Sequence, residues 1–446
     1  MNANDETRTL ITARYGIPVV GQILDKPYIE VQNGKVVGVK RFRDVDTRGN
    51  VEIFDLGDAV ILPGLINAHS QLDLCHLQGR VPFTGSFTAW LQTLFASHRV
   101  PSRHEVASGI QKGLREAISG GTTAIGDVSM QDWSIEAIGA AGLRSVVYLE
   151  VINIDPELAH TEFERIEQRI EDATAHEVLT ARTDSRPLMA LGLAPFAPYA
   201  VSSELYRLTL QLMIERGDRL CTRIAESEEE RKLLQVYEGE FVQFLEGMFP
   251  EGPPPMEAAA SPVHYLVELL QTARPKEEDR GRTQAFRVVR PPVLVHCHYL
   301  DVEDIQMIGR MRAPVVYCPR HHDFFEHPKA PIEDLLNRAM TVGLGTASLA
   351  SNETLSMLDE MRYLARHPEY EISDEEVLRM ATLYGARALA IEDEVGVIAP
   401  GMQADLTAVA IPHNTPEERL VHTLMHDDSP AVFTMVAGNP IYERPE

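Results

Sequence analysis

The sequence predicts an α/β protein built on a (β/α)8 TIM barrel, with a small β-sandwich formed by both termini. Eight short apolar runs, many with β-branched residues, alternate with helical segments, as parallel strands buried on both faces do. Both ends of the chain instead show short β segments without helices between them. An open, doubly wound sheet is the alternative that this alternation leaves. The eight predicted strands are 65–69, 123–128, 144–151, 188–194, 220–225, 293–298, 315–318 and 341–346.

The first helix between two predicted strands has clear start and stop signals. Ser102 and Glu105 form the S-x-x-E pattern of a capping box, and apolar residues from Val106 to Ala117 keep helical spacing. Gly120 and Gly121 end the helix. Eight such strand–helix units imply a closed barrel, whose active site lies at the carboxyl ends of its strands.

The termini define the domain organisation. Segments 9–12, 19–24, 28–31 and 36–39, with an Asn33-Gly34 turn, and the later segments 405–411 and 432–436, are predicted to be strands. We therefore expect residues 1–62 together with 399–446 to form the sandwich, and residues 63–398 to form the barrel. A Pro-rich and charged stretch near 247–292 is expected to be an insertion, with a short helix around 264–272.

Composition excludes several classes of function. The 446 residues carry a formal net charge of −25, which repels nucleic-acid backbones and anionic lipids. No apolar run approaches the ~20 residues of a membrane span. The four cysteines are widely spaced without a C-x-x-C pattern, so a disulfide framework is not indicated. We expect a cytoplasmic protein with a small-molecule substrate or ligand and no nucleic-acid or membrane partner. Whether it forms a homo-oligomer stays open at this stage.

Several motifs in one order resemble the amidohydrolase superfamily, in the branch of chlorohydrolases, guanine deaminase and S-adenosylhomocysteine-type deaminases. The likeness covers nearly the whole chain. The motifs are Leu62-Pro63-Gly64-Leu65-Ile66-Asn67-Ala68-His69, Trp90-Leu91, Gly120-Gly121-Thr122-Thr123 with Gly126-Asp127, Ala194-Pro195-Phe196-Ala197-Pro198-Tyr199, Ile224-Ala225-Glu226, Val295-His296-Cys297-His298, Gly343-Leu344-Gly345-Thr346 and Pro400-Gly401-Met402-Gln403-Ala404-Asp405.

The resemblance implies a divalent metal held by an H-x-H pair after strand 1, a His on strand 5 and an Asp after strand 8. Such a metal makes hydroxide from bound water near neutral pH. Here His69 keeps the first position, but Gln71, Arg223 and Ala347 occupy the other three. An amide is a poor zinc ligand, alanine is none, and a guanidinium repels the ion. The sequence therefore predicts that the usual metal is missing and that no metal cofactor is bound.

The residues that remain predict a C–N bond hydrolase, deaminase-like or amidase-like, acting on a small heterocyclic or amide compound. Glu226 matches the family's proton-transferring carboxylate and His296 the His that orients the substrate. Arg223 is expected to supply positive charge where the metal would lie, or else to pair with Glu226. Expected substrate contacts are His69, Gln71, Trp90, Phe196, His298, Asp301, His321 and His322.

Three alternatives stay open at this stage. A rebuilt metal site is one, because the segment from Cys318 to His327 is rich in potential ligands, and Asp73, His76 and His298 are further candidates. A metal-independent lyase or isomerase using the same pocket is the second. A catalytically silent homologue that binds a ligand or a partner is the third, since fold does not fix function.

Overall fold

A computed structural model describes residues 8–41, 44, 50–98, 102–175, 189–249, 252–254, 256–273 and 290–445. Its centre is an eight-stranded parallel sheet in which the strands follow one another in sequence order. All eight predicted barrel strands are present within a few residues of their predicted bounds. They are β8 Leu65–Ser70, β9 Thr122–Ser129, β10 Arg144–Val151, β11 Met189–Pro195, β12 Arg219–Ile224, β13 Val293–His296, β14 Val315–Tyr317 and β15 Val342–Leu344.

The sheet closes on itself between its last strand and its first. The backbone amides of Thr346 and Ala347 both donate to the carbonyl oxygen of His69, at 3.0 and 3.1 Å, and Ser70 forms a parallel bridge with Ala347. The predicted barrel is thus confirmed, and the open-sheet alternative is wrong. Closure also places Gln71, which follows β8, beside Ala347, which lies beyond the end of β15, and the candidate site forms there.

Helices surround the barrel. The first predicted helix is confirmed as α2, with a capping box between Ser102 and Glu105 and an end at Gly120. The helices are α1 Phe87–His98, α2 Arg103–Ser119, α3 Trp133–Ala140, α4 Ala159–Ala175, α5 Ser203–Arg216, α6 Glu228–Val236, α7 Glu240–Met248, α8 Pro262–Ala273, α9 Val302–Met311, α10 Pro319–Phe324, α11 Ile332–Asn337, α12 Met357–Ala365, α13 Asp374–Met380, α14 Leu383–Ala388 and α15 Leu420–His426.

Two further sheets are built from the termini. A four-stranded sheet has the order β5-β4-β1-β6, and a six-stranded sheet, β18-β17-β16-β7-β2-β3, joins strands from both ends of the chain. Ile11, Ile61 and Phe433 belong to one apolar cluster shared by these sheets. The strands are β1 Arg8–Thr12, β2 Tyr15–Gly16, β3 Leu24–Asp25, β4 Pro27–Gln32, β5 Lys35–Arg41, β6 Val51–Asp55, β7 Ala59–Pro63, β16 Leu406–Ala410, β17 Ala431–Val436 and β18 Asn439–Glu443.

The strand predicted at 19–24 is mostly wrong. Val19 adopts a positive φ of 70° and Gly21 one of 109°, which extended strands do not use. Val20 is 64% exposed, so its apolar side chain does not contribute to a core. The predicted Asn33-Gly34 turn between β4 and β5 is present, with φ of 51° and 75° at its two residues.

The proposed division into two domains stays a prediction. The helix expected near 264–272 is α8, while residues 250, 251, 255 and 274–289 of the expected insertion lie outside the described residues. Among the helices that the structure describes, none combines the length and the apolar character needed to cross a membrane.

Candidate active site

A small cavity lies where the carboxyl ends of the barrel strands meet. Its volume is about 30 Å³, which is roughly the space of one water molecule. Eight of the eleven predicted site residues line it. These are His69, Gln71, Trp90, Phe196, Arg223, Glu226, His296 and His321. Ala347 lines it as well, so the four positions assigned to metal ligands by resemblance do converge in space.

Strained backbone positions the residues around the cavity. Ala225, His296, Cys297 and Ala347 have positive φ values of 51°, 76°, 54° and 53°. Each lies at or just beyond the end of β12, β13 or β15. Non-glycine residues in this region cost of order 1 kcal/mol or more and occur preferentially at functional sites. The turns aim the side chains of Glu226 and His296 into the barrel mouth.

Glu226, His296 and His321 form what we call the inner cluster. The Nε2 atom of His321 lies 3.0 Å from Oε1 of Glu226, and Nε2 of His296 lies 3.5 Å from the same oxygen. The two imidazole rings stack with their centroids 4.5 Å apart. Their side chains are only 4%, 1% and 7% exposed. Oε2 of Glu226 is buried without a hydrogen-bond partner among the described residues.

Burial sets the charge of the cavity histidines. It lowers the pKa of His296 well below the ordinary value, and the neighbouring histidines lower it further. Burial and the Arg223 guanidinium likewise lower the pKa of His69. Both rings are therefore neutral near pH 7, the form in which imidazole offers a lone pair to a metal or accepts a hydrogen bond.

Arg223 forms its ion pair with Glu150, and the expected pairing with Glu226 is replaced by this contact. Its Nη1 atom lies 3.1 Å from Oε1 of Glu150, and its Nη2 atom donates to Oε1 of Gln71 at 2.7 Å. The guanidinium also lies 4.2 Å from the centroid of the Phe196 ring. Burial lowers the pKa of Arg223, but the neighbouring acidic groups, Glu150 first and then Glu226, together outweigh burial and raise it. The positive charge at the strand-5 position is thus already compensated.

Three predicted site residues lie outside this cavity. Asp301 caps the amino end of α9 and pairs with Arg231, with its side chain 45% exposed. His298 packs behind the cavity, where its Nδ1 atom contacts the backbone oxygen of Glu226 at 3.2 Å and its ring contacts His322. These three residues contact other protein groups in the structure, and the substrate contact predicted for them stays a prediction.

The sequence did not identify two residues that organise the site. Glu150 lies near the end of β10, and its side chain is fully buried. The only sign of it in the sequence is that it is the one acidic residue of the apolar run 144–151. Ser351 lies 2.7 Å, through its Oγ atom, from Nδ1 of His321. No pattern in the sequence marks it, because its partner is 30 residues away.

Comparison with known proteins identifies relatives of this fold and site. A family model described as the amidohydrolase family matches residues 60–441. A 5-methylthioadenosine/S-adenosylhomocysteine deaminase of Syntrophobacter fumaroxidans is 28% identical over 409 residues, covering 89% of this chain and 83% of the relative. An aminodeoxyfutalosine deaminase of Nitratiruptor sp. is 23% identical, with 91% and 94% covered.

Solved structures share the fold over nearly the whole chain. Aminofutalosine deaminase of Helicobacter pylori in complex with methylthio-coformycin superposes with a TM-score of 0.81 at 20% identity, covering 97% of this chain and 100% of that one. An adenosine deaminase of Xanthomonas campestris with bound zinc gives a TM-score of 0.78 at 23% identity, with 98% and 93% covered.

These findings correct the expectation that no metal cofactor is bound. Neighbouring structures hold zinc, and the buried inner cluster places three ligand atoms within 4.8 Å of one another. The prediction of metal-site loss judged only the positions 69, 71, 223 and 347, where three donors are indeed absent. It did not foresee that His321, from α10, would lie beside Glu226 and His296. The silent-homologue alternative also has no support, and the findings favour an enzyme that hydrolyses C–N bonds.

Proposed function

Because the chain belongs to the amidohydrolase family, we propose that it is a hydrolytic deaminase of a small amino-substituted heterocycle, with a divalent metal held by the inner cluster. The relatives named above are a 5-methylthioadenosine/S-adenosylhomocysteine deaminase and an aminodeoxyfutalosine deaminase, which supports a deamination reaction on a compound of this class. The observation that carries the proposal is the convergence of Glu226, His296 and His321 inside the barrel mouth.

The inner cluster fits a zinc-like ion. Ligand atoms bound at 2.0–2.2 Å around a tetrahedral ion lie about 3.3–3.6 Å apart. The two separations from Oε1 of Glu226, 3.0 and 3.5 Å, are close to that range. Two imidazoles and one carboxylate are also a donor set that zinc and similar ions prefer. Two features of the cluster, the buried Oε2 of Glu226 and the neutral ring of His296, suit a cation.

When bound, a divalent ion would lower the pKa of a water molecule and polarise the carbon under attack. Glu226 would use Oε2, which has no hydrogen-bond partner among the described residues, to accept the proton of the water and pass it to the leaving nitrogen. Ammonia then leaves as the amine carbon gains an oxygen. Arg223 would position Gln71 and the Phe196 ring at the cavity wall, with its charge balanced by Glu150.

The space around the cavity bears on the size of the substrate. A cavity of about 30 Å³ is too small for a heterocycle, so Trp90, Leu91 and Leu94 of α1 would shift when substrate enters. A second cavity, of about 580 Å³, is mostly apolar and shares Tyr199 with the first. Phe196 packs against Phe95 and Tyr199 between the two spaces. The substrate would therefore place its amino group at the inner cluster and an apolar substituent in this larger cavity.

Metal content and ammonia release test the proposal together. The protein is purified without chelator, its zinc, iron and nickel are measured, and ammonia release is assayed with 5-methylthioadenosine, adenosine and amino-substituted triazines. We expect metal to be bound and at least one compound to be deaminated. Glu226→Gln should lower kcat/KM by about 10²–10⁴-fold.

His322→Gln is the matched control, because His322 is equally buried and adjacent to His321 but does not line the cavity. Its activity should stay within a few-fold of wild type. Ammonia release that survives in Glu226→Gln, or its absence with every compound from metal-loaded wild type, would contradict the proposal.

A further inference from the structure

A second group of metal-ligand side chains, which shares no residue with the inner cluster, lies on the protein surface. Asp374 begins α13, and His422 and His426 lie on α15. Their ligand atoms lie within 4.8 Å of one another. We call these three residues the outer cluster. Neither the mechanism above nor any motif of the sequence accounts for it.

The geometry of the outer cluster is that of a shared ligand sphere. Nδ1 of His422 lies 3.1 Å from Oδ2 of Asp374, and Nε2 of His426 lies 3.2 Å from Oδ1. Both values are near the roughly 3.3 Å expected between atoms that bind one zinc ion at 2.0 Å. Each carboxylate oxygen thus faces one ring nitrogen, and no donor would need to move far to meet an ion.

The helix supplies the histidine arrangement. Residues four apart lie on the same face of a helix, and two histidines at this spacing bind zinc in known metal sites. The rings of His422 and His426 stack with centroids 4.1 Å apart and an interplanar angle of 29°. Nδ1 of His422 and Nε2 of His426 therefore point to the same side of α15, where Asp374 lies at the amino end of α13.

The surroundings attract a cation and leave it accessible. Asp374 is followed by Glu375 and Glu376 in the first turn of α13, and the whole chain carries a formal charge of −25. The side chains of Asp374, His422 and His426 are 18%, 50% and 34% exposed. Water can therefore complete the coordination, and an ion can exchange with solvent.

We propose that the outer cluster is a second metal site, which binds zinc or a similar transition-metal ion and clamps α13 to α15. Two imidazoles with one carboxylate select such ions over magnesium and calcium, which prefer all-oxygen sites. Three protein ligands leave at least one position for water. The site is independent of the reaction proposed for the barrel mouth.

Metal titration of the full chain tests this inference. Chelator-treated protein is titrated with Zn²⁺ by calorimetry and with Co²⁺ by visible absorption, and bound zinc is counted after dialysis. Wild type should bind one equivalent more than His422→Ala and His426→Ala, or bind that equivalent at least tenfold more tightly. The difference of one equivalent holds whether or not the inner cluster binds metal, so the two proposals fail separately.

His413→Ala is the matched control. His413 is an exposed histidine whose Nδ1 atom lies 2.7 Å from Oδ2 of Asp58, but it belongs to no group of three metal-ligand side chains among the described residues. It should bind zinc as wild type does. Equal zinc stoichiometry and affinity in wild type, His422→Ala, His426→Ala and His413→Ala would overturn the inference. Circular dichroism would verify that each variant is folded.

Discussion

The inner and outer clusters contain the same types of side chain, two histidines and one carboxylate, in opposite surroundings. In the inner cluster no side chain is more than 7% exposed, whereas His422 in the outer cluster is 50% exposed. Glu226 and His296 lie at the ends of two barrel strands with strained backbone, and His321 lies on the short helix α10 that follows a third strand. The outer residues lie on two regular helices.

The difference indicates what each arrangement can do. The donor spacing of both clusters fits the metal sites proposed above, and the inner cluster is in addition shielded from bulk water and lines a cavity. A dry site strengthens electrostatic interactions and makes each unpaired charge costly. The stability of the buried inner region should therefore depend strongly on charge substitutions and on pH. The stability of the exposed outer region should depend on them only weakly.

The largest expected effect concerns the buried ion pair beside the inner cluster. Arg223→Met removes the charged partner of the buried Glu150 carboxylate and leaves it with the side-chain amide of Gln71, which should lower the free energy of unfolding by about 3–5 kcal/mol. Asp374→Asn in the outer cluster should cost less than about 1 kcal/mol when no metal is present. Denaturant unfolding of chelator-treated protein measures both values.

The double variant Arg223→Met/Glu150→Gln is the control for loss of packing. It should recover much of the stability, because the unpaired carboxylate is gone. If the free energy of unfolding of Arg223→Met lies within about 1 kcal/mol of the wild-type value, the inner region is not sensitive to charge and the prediction is wrong.

A second expected effect is a loss of stability in acid, caused by the histidines behind the inner cluster. Burial lowers the pKa of His327 from 6.5 to about 4. The unfolded chain therefore binds a proton at higher pH than the folded protein does. Stability from this group is complete above pH 6.5 and falls as the pH approaches 4, by about 3 kcal/mol.

The comparison of wild type with His327→Gln isolates this contribution from those of other groups. The difference in unfolding free energy, wild type minus variant, should decrease as the pH is lowered from 7 to 4. Unfolding curves at several pH values give that difference. A difference that stays constant or increases on acidification would refute the burial argument.

The third prediction concerns the contribution of Ser351 to metal affinity at the inner cluster, and its expected effect is the smallest. The second nitrogen of a metal-binding histidine usually has a hydrogen-bond partner that fixes its orientation, and loss of the partner weakens metal affinity about 10–100-fold. Ser351→Ala should weaken metal binding at the inner cluster by that factor, because its Oγ contacts Nδ1 of His321.

Ser348→Ala provides the comparison for Ser351→Ala. Ser348 lines the same cavity, but its Oγ accepts a hydrogen bond from the amide of Ala350 and not from His321. Both serine variants are made in the His422→Ala background, which lacks the outer cluster, and their metal affinity is measured by calorimetric titration. Equal affinities in the two serine variants would show that Ser351 does not orient His321.

Much of the fold could be predicted because its signals are local. Each barrel strand is an apolar run short enough to read directly, and the capping box of α2 lies within four residues. The run 19–24 misled because apolar side chains do not guarantee burial, as the exposure of Val20 shows. Strands such as β6 and β18, with exposed and polar residues, give no comparable signal.

The site could be predicted only in part, because its contacts are not local. The resemblance located Glu226, His296 and Arg223, and the structure places all three at one cavity. It did not reveal that Glu150 pairs with Arg223 from 73 residues away or that His321 reaches Glu226 from 95 residues away. The histidine-rich segment after β14 was the available signal, and it supported the alternative of a rebuilt metal site.

The most direct test concerns the proposed binding of a metal ion by Glu226, His296 and His321. Crystals of zinc-loaded His422→Ala, which lacks the outer cluster, would be measured above and below the zinc absorption edge. The account predicts one anomalous peak in the barrel mouth, about 2.0–2.2 Å from the nearest atoms of these three side chains. A peak bound by His69 and Gln71 without the inner cluster, or no peak in the cavity, would contradict it.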